Sequence, residues 1–150
     1  MERIASFCVD HTKLMPGMYL SRQDGDVLTW DIRMKRPNQG DYLSTGAAHT
    51  IEHLFATYAR NSSYSQGVVY VGPMGCRTGF YLLTRWLSPA QALALPVDSF
   101  RFLASYEGPI PGASEVECGN YRDMALPAAR AECAAMLPVL EALTADGLHY

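Results

Sequence analysis

The sequence has 150 residues, with 12 Lys+Arg against 15 Asp+Glu and a formal net charge of −3. With 49% hydrophobic and 18% charged residues it is too apolar for a disordered chain, and its mildly acidic balance argues against nucleic acid as a partner. No stretch nears the roughly 18 consecutive apolar residues of a membrane helix, and Met1–Phe7 holds no apolar run suited to a signal peptide. One domain over residues 1–150, with no membrane contact and a cytoplasmic location, is therefore expected. In that reducing compartment Cys8, Cys76, Cys118 and Cys133 point to metal binding, catalysis or burial rather than to disulfides.

In chain order, Met18–Arg22 and Val27–Arg33 read as strands joined by the turn Asp24-Gly25-Asp26. Leu28, Trp30 and Ile32 alternate with Thr29, Asp31 and Arg33, the pattern of a half-buried strand. Pro37-Asn38-Gln39-Gly40 ends this region. Ser44 or Thr45 caps a helix reaching about Asn61, with Ile51, Leu54, Phe55, Tyr58 and Ala59 at three- and four-residue spacing. Gly67–Gly72 reads as a short buried strand and Thr78–Trp86 as its neighbour. Ser88-Pro89 opens a second helix toward Tyr106, which Pro96 is expected to kink or divide. Gly108–Gly112 is a loop, and a last helix starts near Pro127 with Pro138 interrupting it. The order implies an α+β fold, an antiparallel sheet with helices packed on it.

The strongest chemical signal is His49-Thr50-Ile51-Glu52-His53. On a helix the two histidines lie one turn apart, within about 40° of each other, so both imidazoles reach one metal ion. Glu52 points beside them, close enough to meet a metal-bound water without being a ligand. A histidine pair alone is compatible with an ordinary polar helix face; the acid beside it favours a metal site. A catalytic site of this type usually has three protein ligands and one open position. His11, His149, Cys76, Cys118 and several acids are candidates for the third, and spacing does not choose between Cys118 and Cys76.

Cys76, in Pro73-Met74-Gly75-Cys76-Arg77-Thr78-Gly79, sits in an exposed turn beside Arg77, a setting that suits either a reactive thiolate or a plain turn residue. Arg33 and Arg60 are candidate carboxylate binders, although surface arginines are commonly only solvated. Ser6, Asp10 and His11 form a polar cluster without a motif of its own.

Taken together, Ser6-Phe7, Val9-Asp10-His11-Thr12, Asp31-Ile32-Arg33, Pro37-Asn38, His49–Leu54, Arg60-Asn61, Pro73–Tyr81 and Glu117-Cys118-Gly119-Asn120-Tyr121 resemble the S-ribosylhomocysteine lyase (LuxS) family, in family order over residues 6 to about 121. The resemblance implies an α+β homodimer, LuxS/metallopeptidase-like in fold, with active sites at the subunit interface. It implies one divalent metal per subunit, iron(II) with zinc or cobalt as replacements, held by His49, His53 and Cys118. Glu52 and Cys76 would form the acid/base pair, and Ser6, His11, Arg33 and Arg60 match positions that contact substrate. One departure stands out. Where the family usually reads Asp-Ile-Ser before Pro-Met-Gly-Cys, this sequence has Tyr70-Val71-Gly72. An acid that helps bind substrate is thus replaced by Tyr70, and a serine by Gly72.

The implied reaction splits the thioether of S-ribosylhomocysteine into homocysteine and 4,5-dihydroxy-2,3-pentanedione, the autoinducer-2 precursor, serving quorum sensing or methionine recycling. Two other readings remain at this stage. His49-x-x-Glu52-His53 is also a zinc metallopeptidase pattern, with Glu132 as a possible third ligand, and Tyr70 leaves room for a catalytically altered binding homologue.

Overall fold

A computed structural model describes residues 1–150. Four strands, β1 (Gly17–Asp24), β2 (Val27–Arg33), β3 (Val68–Pro73) and β4 (Gly79–Arg85), form one fully antiparallel sheet in the order β1-β2-β4-β3. Three helices cover one side: α1 (Thr45–Asn61) and α3 (Leu126–Glu141) meet the sheet, and α2 (Pro89–Ala104) packs against both of them. Short 3-10 turns lie at Ala5–Phe7, Ser65–Gly67 and Ala145–Gly147. The expected α+β class and element order are present.

The helix-facing side of the sheet follows from strand alternation and register. Met18, Ile32 and Phe80 stand in one row across β1, β2 and β4, and Trp30, Leu82 and Val71 in the next. These residues join Ile51, Leu54, Phe55, Phe100, Leu103, Cys133 and Leu140 in a single core of 23 buried residues. Trp30 also brings a polar N–H into that core, and it donates to Thr84 Oγ1 at 2.9 Å. Burial pushes the Cys133 thiol well above its ordinary range, which makes it an inert core residue.

The opposite side of the sheet departs from simple alternation. Asp31 and Arg33 occupy its polar positions, yet they are only 1% and 3% exposed. They tolerate burial because they satisfy each other: Arg33 Nε and Nη2 donate to the two Asp31 oxygens at 3.1 and 2.6 Å. Gly67–Gly72, expected as a buried strand, contributes to β3, which is the sheet edge; Tyr70 on it is 53% exposed. A bulge at Val69 interrupts its pairing with β4.

Helix ends follow their sequence signals. Ser44 Oγ accepts from the Ala47 amide, and Ser88 with Gln91 closes a capping box at α2, with Pro89 at its first position. The prolines do not divide the helices as expected. Pro96 sits in α2 with its ring buried, and Pro138 in α3 lies near the helix end. Each forfeits one backbone bond; at Pro96 the packing of the buried ring offsets it, whereas Pro138 is exposed and lies in the last turn, where few bonds remain to be lost.

Thr84→Val keeps the shape of the side chain and removes the only partner given to the Trp30 N–H. A loss of about 1–3 kcal/mol is expected for a buried donor left unpaired. It is measured as a lower urea midpoint with an unchanged slope.

Candidate functional site

The His49–His53 pair sits on α1, one turn apart, as the spacing requires. Their rings meet edge to face with centroids 4.7 Å apart. Each Nδ1 faces a backbone carbonyl: His49 that of Asp123 at 2.9 Å, His53 that of Pro111 at 2.7 Å. A carbonyl only accepts, so both Nδ1 atoms carry the proton and both Nε2 lone pairs are free to coordinate.

Both carbonyls come from the long connection between α2 and α3, residues 105–125. This segment also brings in Cys118, whose Sγ stands 3.3 Å from His49 Nε2. The Asn120 amide points at the same sulfur at 3.5 Å. One ligand atom from each of His49, His53 and Cys118 falls within 4.8 Å of the others. Two neutral imidazoles and one thiolate, with second-shell carbonyls fixing the tautomers, suit a single divalent ion with a fourth position open.

Small residues make this approach possible. Gly112 has φ +70°, and a Cβ there would lie 3.2 Å from His53 Nδ1, so a side chain would be strained and would crowd the ring. At the other end of the motif the buried Thr50 hydroxyl donates to the Gly46 carbonyl and accepts from the Ala125 amide. This ties the residues beside Asp123 to α1. Thr50 was legible in the sequence only as a spacer between the two histidines.

Cys76 lies in the exposed turn that joins β3 to β4. Its neighbour Arg77 adopts a left-handed conformation, φ +59°, and turns away, toward the Leu43 carbonyl and the Tyr42 ring. The cation beside Cys76 is Arg33, reached through strand pairing: Nη1 donates to Thr78 Oγ1 at 2.6 Å and lies 3.9 Å from Cys76 Sγ. Thr78 Oγ1 is itself 3.1 Å from that sulfur. Burial opposes the Arg33 charge, but the hydrogen bonds and negative charge of Asp31 outweigh it and raise its pKa above the ordinary arginine value. Tyr150, whose hydroxyl donates to Asp31 Oδ2 at 2.7 Å, had no signal in the sequence, and Asp31 and Thr78 stand there only inside motifs, with no role of their own. The register of β2 and β4, which sets Arg33 opposite Gly79, brings Asp31 and Thr78 toward the cysteine, and the pairing of the Leu20 amide with the Leu148 carbonyl brings Tyr150 to Asp31.

The turn Pro73–Arg77 divides two clefts. On one side Glu52, His49, Thr45, Pro73, Met74 and Gly75 line a cavity. On the other, Arg33, His11, Gly75 and Cys76 line a second, and Ser6, Phe7 and Tyr81 extend it. His11 directs Nδ1 to its own loop at the Val9 carbonyl, 2.9 Å away. Arg60 stands apart from both clefts. It lies eleven positions along α1 from His49, about 16 Å by helical rise, and donates to the Val69 carbonyl at 2.8 Å. His149 lies in the segment beyond α3, outside the His49–His53–Cys118 cluster.

Glu132 decides against the peptidase reading. Its carboxylate pairs with Lys35 Nζ at 2.8 Å instead of joining the histidines, whose third neighbour is Cys118. Comparison with known proteins agrees. The family model for S-ribosylhomocysteinase (LuxS) matches residues 4–145. The chain belongs to the S-ribosylhomocysteinase (LuxS) family.

Similar proteins include the S-ribosylhomocysteine lyase of Phocaeicola vulgatus, 49% identical over 100% of this chain and 98% of that protein. Those of Clostridium beijerinckii (50% identical, 87% of this chain, 86% of that protein) and Clostridium acetobutylicum (45%, 100% and 99%) are also similar. Within this LuxS framework the two departures on β3 are sterically linked. A Cβ at Gly72 would stand 2.2 Å from the Tyr70 hydroxyl, so the tyrosine ring lies over the space a side chain at position 72 would fill.

Cys118→Ala removes the sulfur that meets His49 Nε2. Bound metal, measured by elemental analysis after purification, is expected to fall far below one ion per chain; full retention excludes Cys118 as a ligand.

Proposed function

We propose that this LuxS-family chain cleaves the thioether of S-ribosylhomocysteine, yielding homocysteine and 4,5-dihydroxy-2,3-pentanedione. The observation that carries this reading is the convergence of His49, His53 and Cys118 beside Glu52, across one turn from Cys76. A peptidase needs no second, thiol-bearing cleft; a carbonyl-shifting lyase does.

The chemistry sets what the side chains must do. The sulfur on the ribose leaves only when a carbonyl stands two carbons away, so the carbonyl first migrates along the sugar. Each shift takes a proton from a carbon beside a carbonyl and returns one to the neighbouring carbon. A divalent ion held by His49, His53 and Cys118 would supply Lewis-acid polarisation of the sugar oxygen; we read it as iron(II), with zinc or cobalt as replacements, from the family resemblance, and two imidazoles with one thiolate accept any of the three.

Glu52, on the histidine side of the turn, moves protons near the ion and assists departure of the thiol. Cys76, on the other side, accepts a proton as a thiolate, the form that the Arg33 cation stabilises. Ser6 and His11 line the Cys76 cleft and supply hydroxyl and imidazole groups for sugar oxygens. Arg33 orients Cys76. Arg60 would approach substrate only through the arrangement of a dimer.

We read the active unit as a homodimer with interfacial sites. Ile4, Phe7, Met15 and Tyr70 are exposed apolar side chains around the Cys76 cleft and the outer sheet face, which a second copy would cover. No helix is long and apolar enough to cross a membrane. Four free thiols, two of them exposed, fit the cytoplasm, where the products would feed autoinducer-2 signalling and methionine recovery.

Glu52→Gln and Cys76→Ala are each expected to keep one bound metal and lose turnover by at least about 100-fold, the usual scale of a positioned acid or base. Thiol release from S-ribosylhomocysteine, followed with Ellman's reagent, checks this, and a variant with parental rate loses its assigned role. The double variant Tyr70→Asp/Gly72→Ser is expected to change KM more than kcat. An unchanged KM removes both positions from the amino-acid end of the substrate.

A further inference from the structure

One hydroxyl bears on the Cys76 sulfur from outside both clefts. Tyr150 stacks on Tyr19 with ring centroids 4.9 Å apart and planes 10° from parallel. The segment that carries it is held to β1 by the Leu20 amide, which donates to the Leu148 carbonyl at 2.9 Å. From this fixed position the Tyr150 hydroxyl donates to Asp31 Oδ2. Asp31 in turn engages Nε and Nη2 of Arg33, which leaves Nη1 as the nitrogen aimed at Thr78 and Cys76. The route from the tyrosine oxygen to the cysteine sulfur is thus a short run of polar contacts through a buried carboxylate and a buried guanidinium.

We propose that Tyr150 is a positioning residue for Cys76, acting through Asp31 to set both the aim of Arg33 and the positive field it projects onto the sulfur. This rests on the reading of Cys76 as a proton-moving group, but the contacts themselves do not depend on it. The physical reason is charge sharing. A carboxylate that also accepts from a hydroxyl carries less unneutralised charge toward its arginine, so more of the cation's field remains for the thiolate. Without the hydroxyl, Asp31 compensates Arg33 more completely and draws it back from Thr78.

Other groups around this chain are already engaged or lack this contact. Tyr19 and Tyr81 flank Asp31 in register, and the Tyr19 hydroxyl donates to the Met15 carbonyl instead. His11 and Arg77 share the Cys76 cleft, but His11 Nδ1 is bound at Val9 and Arg77 points to Leu43. Burial first, and the hydrogen bond and charge of Asp31 next, push the Tyr150 phenol above its ordinary ionisation range. The hydroxyl therefore stays a donor throughout the working pH range.

The test uses metal-loaded protein and Tyr150→Phe, which removes one oxygen and keeps the stacked ring. Iodoacetamide labelling is followed at Cys76 by peptide mass spectrometry across neutral pH. The Cys76 labelling profile is expected to move to higher pH, with about threefold slower labelling at pH 7, the change that half a pH unit produces. Tyr19→Phe, which loses the other hydroxyl of the stack, should leave the profile in place. A Tyr150→Phe profile that overlays the parent overturns the proposal, and so does a Tyr19→Phe shift of equal size. Turnover of Cys76→Ala judges the acid/base reading separately, because the labelling profile does not depend on catalysis.

Discussion

Two backbone carbonyls, those of Asp123 and Pro111, determine what the histidine pair on α1 can do. By accepting from Nδ1 they hold both rings in one tautomer and one orientation, with Nε2 directed toward Cys118. A helix alone provides the spacing of the two rings; it does not provide the proton assignment. That comes from the connection between α2 and α3, a stretch without regular structure whose length would otherwise be hard to explain. Its docking depends on the buried Thr50 hydroxyl and on glycines where a side chain would collide.

The sheet contributes the second half. The pairing of β2 with β4 places Arg33 across from Gly79, at the mouth of the turn that holds Cys76. Burying an ion pair such as Asp31–Arg33 is rarely a source of stability, because desolvation consumes most of the attraction. Its value here is placement: two nitrogens are committed to Asp31, so the third has one direction in which to point. The left-handed backbone of Arg77 complements this: the residue lines the same cleft, but its guanidinium is directed to the Leu43 carbonyl rather than to the sulfur.

What could be read from the sequence was what local rules govern. The strand at Val27–Arg33, the Ser44 and Ser88 caps, and the helical phase of His49, Glu52 and His53 each depend on residues a few positions apart, and all appear in the structure; the half-burial expected of that strand does not, because Asp31 and Arg33 are buried against each other. Cys118 and Cys76 could not be distinguished by spacing, because that choice depends on how a distant loop docks; the family resemblance separated them. Pro96 was expected to kink or divide α2, and the helix continues through it, since propensity weighs a lost hydrogen bond but not the packing of a buried ring. The roles of Asp31 and Thr78, present only as motif neighbours, and of Tyr150 were not legible because they come from strand register and chain docking across more than 40 positions.

Tyr70 and Gly72 have a consequence for how such a sequence can diverge. With the ring lying over position 72, a bulkier residue there and the tyrosine at 70 compete for one volume. A side chain at 72 therefore turns the exposed Tyr70 ring away from its place along the strand. The coupling runs one way: with Gly72 in place a smaller side chain at 70 meets no obstacle, whereas a side chain at 72 needs the ring to move. Whether this stretch of β3 carries an aromatic cover or an open groove is thus decided at position 72, by a residue that contributes no side chain of its own.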